Sequence, residues 1–158
     1  MSSLVLARVN GIPGPKGSVV SFCQRCARFN YKQMIVTKEQ SEVGVKFRKV
    51  VARQLKVTRG QTAFAGPVET RLTFYIERKR SVAKGPGFGQ WVPSHQTPVP
   101  VHHGSGDVEK HVRVIHDALK DAGVLADDAL VWRTVSEKLW ADEKHPTGVM
   151  IEVREWEA

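Results

Sequence analysis

In the stretch Val68–Ile76, Val68, Thr70, Leu72, Phe74 and Ile76 alternate with Glu69, Arg71, Thr73 and Tyr75. Successive side chains of a strand point to opposite faces, so this pattern fits a strand with one dry and one wet face. Such a strand needs neighbours in a sheet and a layer to cover its apolar side. Helical spacing on both sides of it supplies that layer. Val43, Phe47, Val50, Val51 and Leu55 recur at helical intervals in a helix predicted from an N-cap at Thr37 to about Lys56. Lys46, Arg48, Lys49, Arg53 and Lys56 lie on its other faces, outward. A second helix is predicted from about Asp107 to Ala122, with Val108, Val112, Ile115, Leu119 and Ala122 inward and Gly123 as the residue that ends it. Leu4–Val9, Leu130–Val135 and Val149–Arg154 read as further strands, and Val19–Phe22 with Met34–Val36 as a hairpin or two edge strands. The expected fold is α+β: a small mixed β-sheet with two main helices packed on it.

The 158 residues suit one domain, 1–158, and no internal repeat divides them. Asn10–Gly17 is a Gly/Pro loop that excludes helix, and residues 81–106 form a longer one without periodicity. A loop of that length inside a compact domain is usually functional or disordered. No apolar run approaches the roughly 20 residues a bilayer requires. The N-terminus also lacks a basic segment followed by a long apolar core, so a cytoplasmic protein is expected.

Charge is unevenly spread. Residues 1–60 hold 12 Lys and Arg against Glu39 and Glu42 alone, whereas residues 61–158 hold the other 12 against 14 carboxylates. A basic half beside a mildly acidic one suggests a polyanion-binding surface next to a site that gathers carboxylates; the plainer reading is a solvated basic face.

The carboxylates concentrate between Gly106 and Lys138: Asp107, Glu109, Asp117, Asp121, Asp127, Asp128 and Glu137. Magnesium-assisted phosphodiester cleavage needs two or three converging oxygen ligands, because Mg²⁺ prefers an octahedral oxygen shell and keeps several waters. Asp107 and Glu109 stand where a glycine-rich loop enters a helix, and Asp127 and Asp128 just before a strand. Should that strand lie beside the start of the helix, the two pairs meet. Each also has a structural alternative. Asp107 is a good N-cap, Glu109 suits the helix dipole, and Asp127-Asp128 can be a polar turn.

Read as a string, Asp107-Val-Glu109-Lys-His-Val-Arg113, Asp117-Ala-Leu119, Ala122-Gly123 and Asp127-Asp128-Ala-Leu-Val131 resembles the signature of the RusA family. That signature is an Asp-x-Asp pair, a basic residue four positions after the second acid, Asp-Ala-Leu, Ala-Gly and Asp-Asp-x-x-Val. Lys138 matches a further basic position, and Gly11–Gly17 is similar to the Pro/Lys-Gly loop of phage-type members. The resemblance implies a homodimeric, Mg²⁺-dependent Holliday junction resolvase, with Mn²⁺ as a substitute, that nicks two strands symmetrically. It implies that Asp107, Glu109 and Asp128 are catalytic acids that bind the metal, with Asp127 an adjacent contributor. Arg113 matches an essential basic position, lysine in the best-known members, whose role is to hold the scissile phosphate or stabilise its transition-state charge. Three departures bear on activity: Glu109 is one methylene longer than Asp, His111 replaces an apolar Leu, and Lys110 stands where Asn is common. The change from Lys to Arg at 113 keeps charge and alters reach. A branched-DNA binder with the same fold but weak or no cleavage is the alternative.

Candidate DNA contacts are Lys16, Arg25, Arg28, Lys32, Lys46, Lys49, Arg53, Lys110 and Lys138. Phe29, Tyr31 and Trp91 are candidates to stack on an opened junction. Cys23-Gln-Arg-Cys26 is half of a zinc pattern that needs His102, His103 or His145 to complete it; the alternative is two reduced thiols. His95, His102 and His103 offer either a general base or a polar loop.

Overall fold

The structure, a computed structural model, describes residues 4–14, 19–24, 34–39, 41–60, 63–77, 98–101 and 105–156, with the backbone alone at 4–5, 19–24 and 34–39. The chain forms β1 (Leu4–Asn10), β2 (Val19–Gln24), β3 (Met34–Glu39), α1 (Glu42–Thr58), β4 (Val68–Ile76), α2 (Val108–Ala122), β5 (Val131–Trp140) and β6 (Gly148–Glu155). A short 3-10 turn, Asp128–Leu130, leads into β5. The main sheet runs β1-β6-β4-β5, and β2 pairs antiparallel with β3 in a separate two-stranded sheet. β1–β6 and β6–β4 are antiparallel and β4–β5 is parallel, so the sheet is mixed and the α+β expectation holds.

The alternation read in Val68–Ile76 is the key to the layer. Val68, Leu72 and Phe74 are buried with Val9 of β1 and Val149, Ile151 and Val153 of β6. Against them pack Phe47, Val51 and Leu55 of α1 and Val114, Ile115, Ala118 and Leu119 of α2. The opposite face carries charge: Arg71 and Arg133 both pair with Glu69, and Arg154 with Glu152. One covered face and one wet face is the usual arrangement for antiparallel strands.

Several local expectations change. Ser41, not Thr37, caps α1, its hydroxyl accepting from Gly44 N at 3.0 Å, because Thr37 belongs to β3. Val43 and Val50 are exposed, and Gly44 and Ala52 join the buried arc instead. Arg48 does not face outward: its guanidinium spans to α2, 2.6 Å from Asp121 and 3.3 Å from Asp117. β5 runs on to Trp140, well past Val135. Gly123 ends α2 as expected, with φ 69°, a left-handed conformation that suits glycine. Among the described residues no helix is long and apolar enough to cross a membrane.

Candidate functional site

Gly106, at φ 71°, turns the incoming loop into α2. Asp107 then takes the N-cap position, but its side chain makes no cap hydrogen bond. Its carboxylate lies 3.1 Å from Lys110 Nζ and is 72% exposed. Glu109, in the first turn, pairs with Arg113 one turn later, and both side chains stand in solvent. Two carboxylates and two cations thus line the entry to α2, paired with one another in solvent, where a phosphate could exchange for either carboxylate.

The floor beneath them is built with more constraint. His111, 1% exposed, sits beside the Phe74 ring with 5.1 Å between centroids. Its Nε2 is 2.8 Å from Ser105 O, which makes Nε2 the protonated nitrogen, since a carbonyl only accepts. Nδ1 is buried and has no hydrogen-bond partner among the described residues. Burial pushes the His111 pKa down, with Lys138 adding to the effect and Ser105 O and Asp107 opposing it. The His111 position therefore behaves as the core position that a leucine would fill, with one tie to the loop.

Asp127 and Asp128 lie elsewhere along the same helix. Asp127 caps the 3-10 turn, Oδ1 accepting from Ala129 N at 2.8 Å, which is the polar-turn role. Asp128 Oδ1 accepts from Lys120 Nζ at 3.2 Å, and Asp127 Oδ2 is 3.7 Å from the same ammonium. Hydrogen bonding to Lys120 holds Asp128 below the ordinary carboxylate range, with Asp127 next in effect; Asp128 in turn raises Lys120. Lys120 stands eleven residues after Glu109, about 16 Å further along the axis at ~1.5 Å per residue. The condition for the two acidic pairs to meet is not fulfilled within one chain, because β5 starts beside the far end of α2 and finishes beside its start. Among the described residues no three Asp, Glu, His or Cys side chains converge to hold a metal.

Of the remaining carboxylates, Asp117 and Asp121 bind Arg48, and Glu137 accepts from Thr73 Oγ1 at 3.0 Å. Lys46, Lys49 and Arg53 are exposed on α1. Lys110 is paired with Asp107. Lys138 turns inward, donating to Gly106 O at 2.7 Å and to Ser105 Oγ at 2.9 Å. Lys16, Arg25, Arg28, Lys32, Phe29, Tyr31, Trp91, Cys26, His95, His102 and His103 lie outside the described residues, as does the side chain of Cys23. His145 is engaged by Asp142 at 3.2 Å and stacks on Tyr75 at 5.1 Å.

Sequence reading missed Lys120, His116 and Ser105. His116 Nε2 lies 3.3 Å from Thr70 Oγ1 and 3.4 Å from Thr134 Oγ1, in the seam between α2 and β5. Thr70 carried the one usable signal, a polar residue on the apolar side of the β4 alternation, which must find a partner. Nothing local marks Lys120, whose partners arrive through the fold.

A search among curated proteins gives no match. The family model described as endodeoxyribonuclease RusA matches residues 22–154, which takes in the second half of β2, β3 to β5, β6 up to Arg154, both helices and all four candidate acids. The chain belongs to the RusA family of endodeoxyribonucleases, the Holliday junction resolving nucleases.

Proposed function

We propose that this chain cleaves four-way DNA junctions by Mg²⁺-dependent hydrolysis, with Mn²⁺ as a substitute, and does so as a homodimer. The observation that carries this reading is the pair of exposed carboxylates at the entry of α2, Asp107 and Glu109, flanked by Lys110 and Arg113. All four candidate ligands are carboxylates, and hard oxygen donors suit Mg²⁺. Their placement in a single chain does not complete a ligand set, since Asp127 and Asp128 sit by Lys120. A second copy resolves this if it brings its Asp127 and Asp128 to the Asp107 and Glu109 of the first. Symmetry then makes two identical sites, as paired nicks require. A metal bound there would supply a nucleophilic hydroxide and charge neutralisation at the phosphate. Arg113 releases Glu109 and takes a non-bridging phosphate oxygen, where its fork matches the developing charge. The basic face of α1 carries the duplex arms by phosphate contact.

The test is a labelled synthetic junction incubated with and without Mg²⁺, beside Asp128→Asn and a linear duplex of the same sequence. Paired nicks confined to the junction, abolished by chelator and reduced at least a hundred-fold in Asp128→Asn, are expected. Binding by Asp128→Asn should survive or tighten, because a charge that repels phosphate is gone. Junction binding without nicks under either metal would leave a branched-DNA binder. The longer Glu109 and the separation of the two acidic pairs favour that second reading.

A further inference from the structure

Lys138 lies on β5 in register with Phe74, on the side of the sheet that faces α2. A surface lysine held for DNA keeps its ammonium in water, whereas this one is drawn in and satisfied by the protein. Nζ donates to Gly106 O at 2.7 Å and to Ser105 Oγ at 2.9 Å. Ser105, itself buried, uses its hydroxyl proton on Pro100 O at 2.8 Å. His111 closes the ring from below by donating Nε2–H to Ser105 O at 2.8 Å. Ser105 Oγ, Ser105 O and Gly106 O, in the turn that precedes Asp107, are thus all tied down, by Lys138 from the sheet, His111 from the helix and the carbonyl of Pro100. Asp107 makes no cap bond, and its carboxylate meets the exposed ammonium of Lys110 at 3.1 Å, so the direction of that carboxylate depends on how Gly106 delivers the backbone.

We propose that Lys138 is a positioning residue and not a DNA contact: its two hydrogen bonds clamp the Ser105–Gly106 turn to β5 and so fix where Asp107 and Glu109 point. The clamp stands on geometry alone; its consequence for cleavage rests on the nuclease reading above. Desolvation lowers the Lys138 pKa and Asp107 opposes the shift, in keeping with a half-buried cation next to the acid it serves.

The two roles respond differently to arginine. A phosphate contact accepts arginine, whose fork binds phosphate at least as well. A half-buried clamp on one carbonyl and one hydroxyl does not, because the guanidinium is larger and its donors are fixed in a plane. The experiment compares wild type, Lys138→Met and Lys138→Arg by three readouts. The first is amide hydrogen exchange over residues 105–111, which needs neither metal nor DNA. The second is junction affinity in chelator across a salt series. The third is cleavage as a function of Mn²⁺ concentration. Exchange in the segment should quicken about ten-fold or more in both variants, by local opening of the turn. Affinity and salt slope should match wild type, and cleavage should fall on the order of a hundred-fold, with a higher Mn²⁺ requirement. The proposal is overturned if exchange is unchanged. It is equally overturned if Lys138→Met loses about 0.9 of the salt slope while Lys138→Arg binds and cuts like wild type. Variants that show the exchange effect beside a wild type that never cuts would sink the nuclease reading and leave the clamp standing.

Discussion

Burial in the seam between α2 and β5 disfavours the protonated form of His116 and lowers its pKa, against the opposing pull of Asp128 and Asp117. The unfolded chain takes up this proton near pH ~6.5, the folded chain only at lower pH. The unfolded state therefore binds more protons in that window, and stability falls as pH drops below about 6.5. Thermal unfolding between pH 7 and 5 should show this slope, and His116→Gln should make it shallower while keeping a polar partner for Thr70. Equal slopes in the two proteins would remove His116 from the account. His116 and Ser105 teach the same lesson at residue scale. Both make contacts across long stretches of chain, so neither stood out among the acids of the sequence, whereas Asp107, Glu109, Arg113 and Asp128 were legible as a string of fixed spacing.

Between elements, three hydrogen bonds of one side chain tie α1 to α2. Two nitrogens of Arg48 reach Asp121, at 2.6 and 2.8 Å, and a third reaches Asp117 at 3.3 Å. Hydrogen bonding to Arg48 also holds Asp121 below its ordinary pKa, so this contribution is present at neutral pH and fades as acid protonates the carboxyl. Arg48 is 32% and Asp121 43% exposed, so solvent screens the bridge. Arg48→Met should cost about 1 kcal/mol in urea denaturation, less at high salt. A cost unchanged between 0.05 and about 1 M salt would point to lost packing instead. Periodicity alone put Arg48 outward because it marks an apolar stripe without saying which polar neighbour meets the second helix. The Thr37 cap failed for a related reason. Cap signals are local, while Met34–Glu39 is committed to pairing with Val19–Gln24, which moves the helix start to Ser41.

Among the described residues, charge is unevenly placed. Lys46, Lys49 and Arg53 stand exposed along α1, away from the sheet, while the carboxylates gather around α2 and the turn before β5. If α1 carries the arms of a junction, Lys49→Ala and Arg53→Ala should each reduce the slope of log affinity against log salt by about 0.9 and weaken linear duplex to the same degree. Neither should alter the metal requirement of cleavage. A slope equal to wild type in both variants would take this face out of the interface.

Sequence by itself determined the layer pattern. The alternation of Val68–Ile76 set a half-buried strand, helical spacing set α2 up to Gly123, and the ordered string of acids named the family. Those features are local, so their physics is contained in periodicity and residue type. The tertiary structure alone decided where the acids stand relative to one another. Because β5 runs parallel to β4 and back along α2, Asp128 meets Lys120 at one end of the helix and Lys138 meets Gly106 at the other. That separation of the acids, and the inward turn of a lysine which the sequence offered as a DNA contact, follow from long-range pairing, which no window of residues contains.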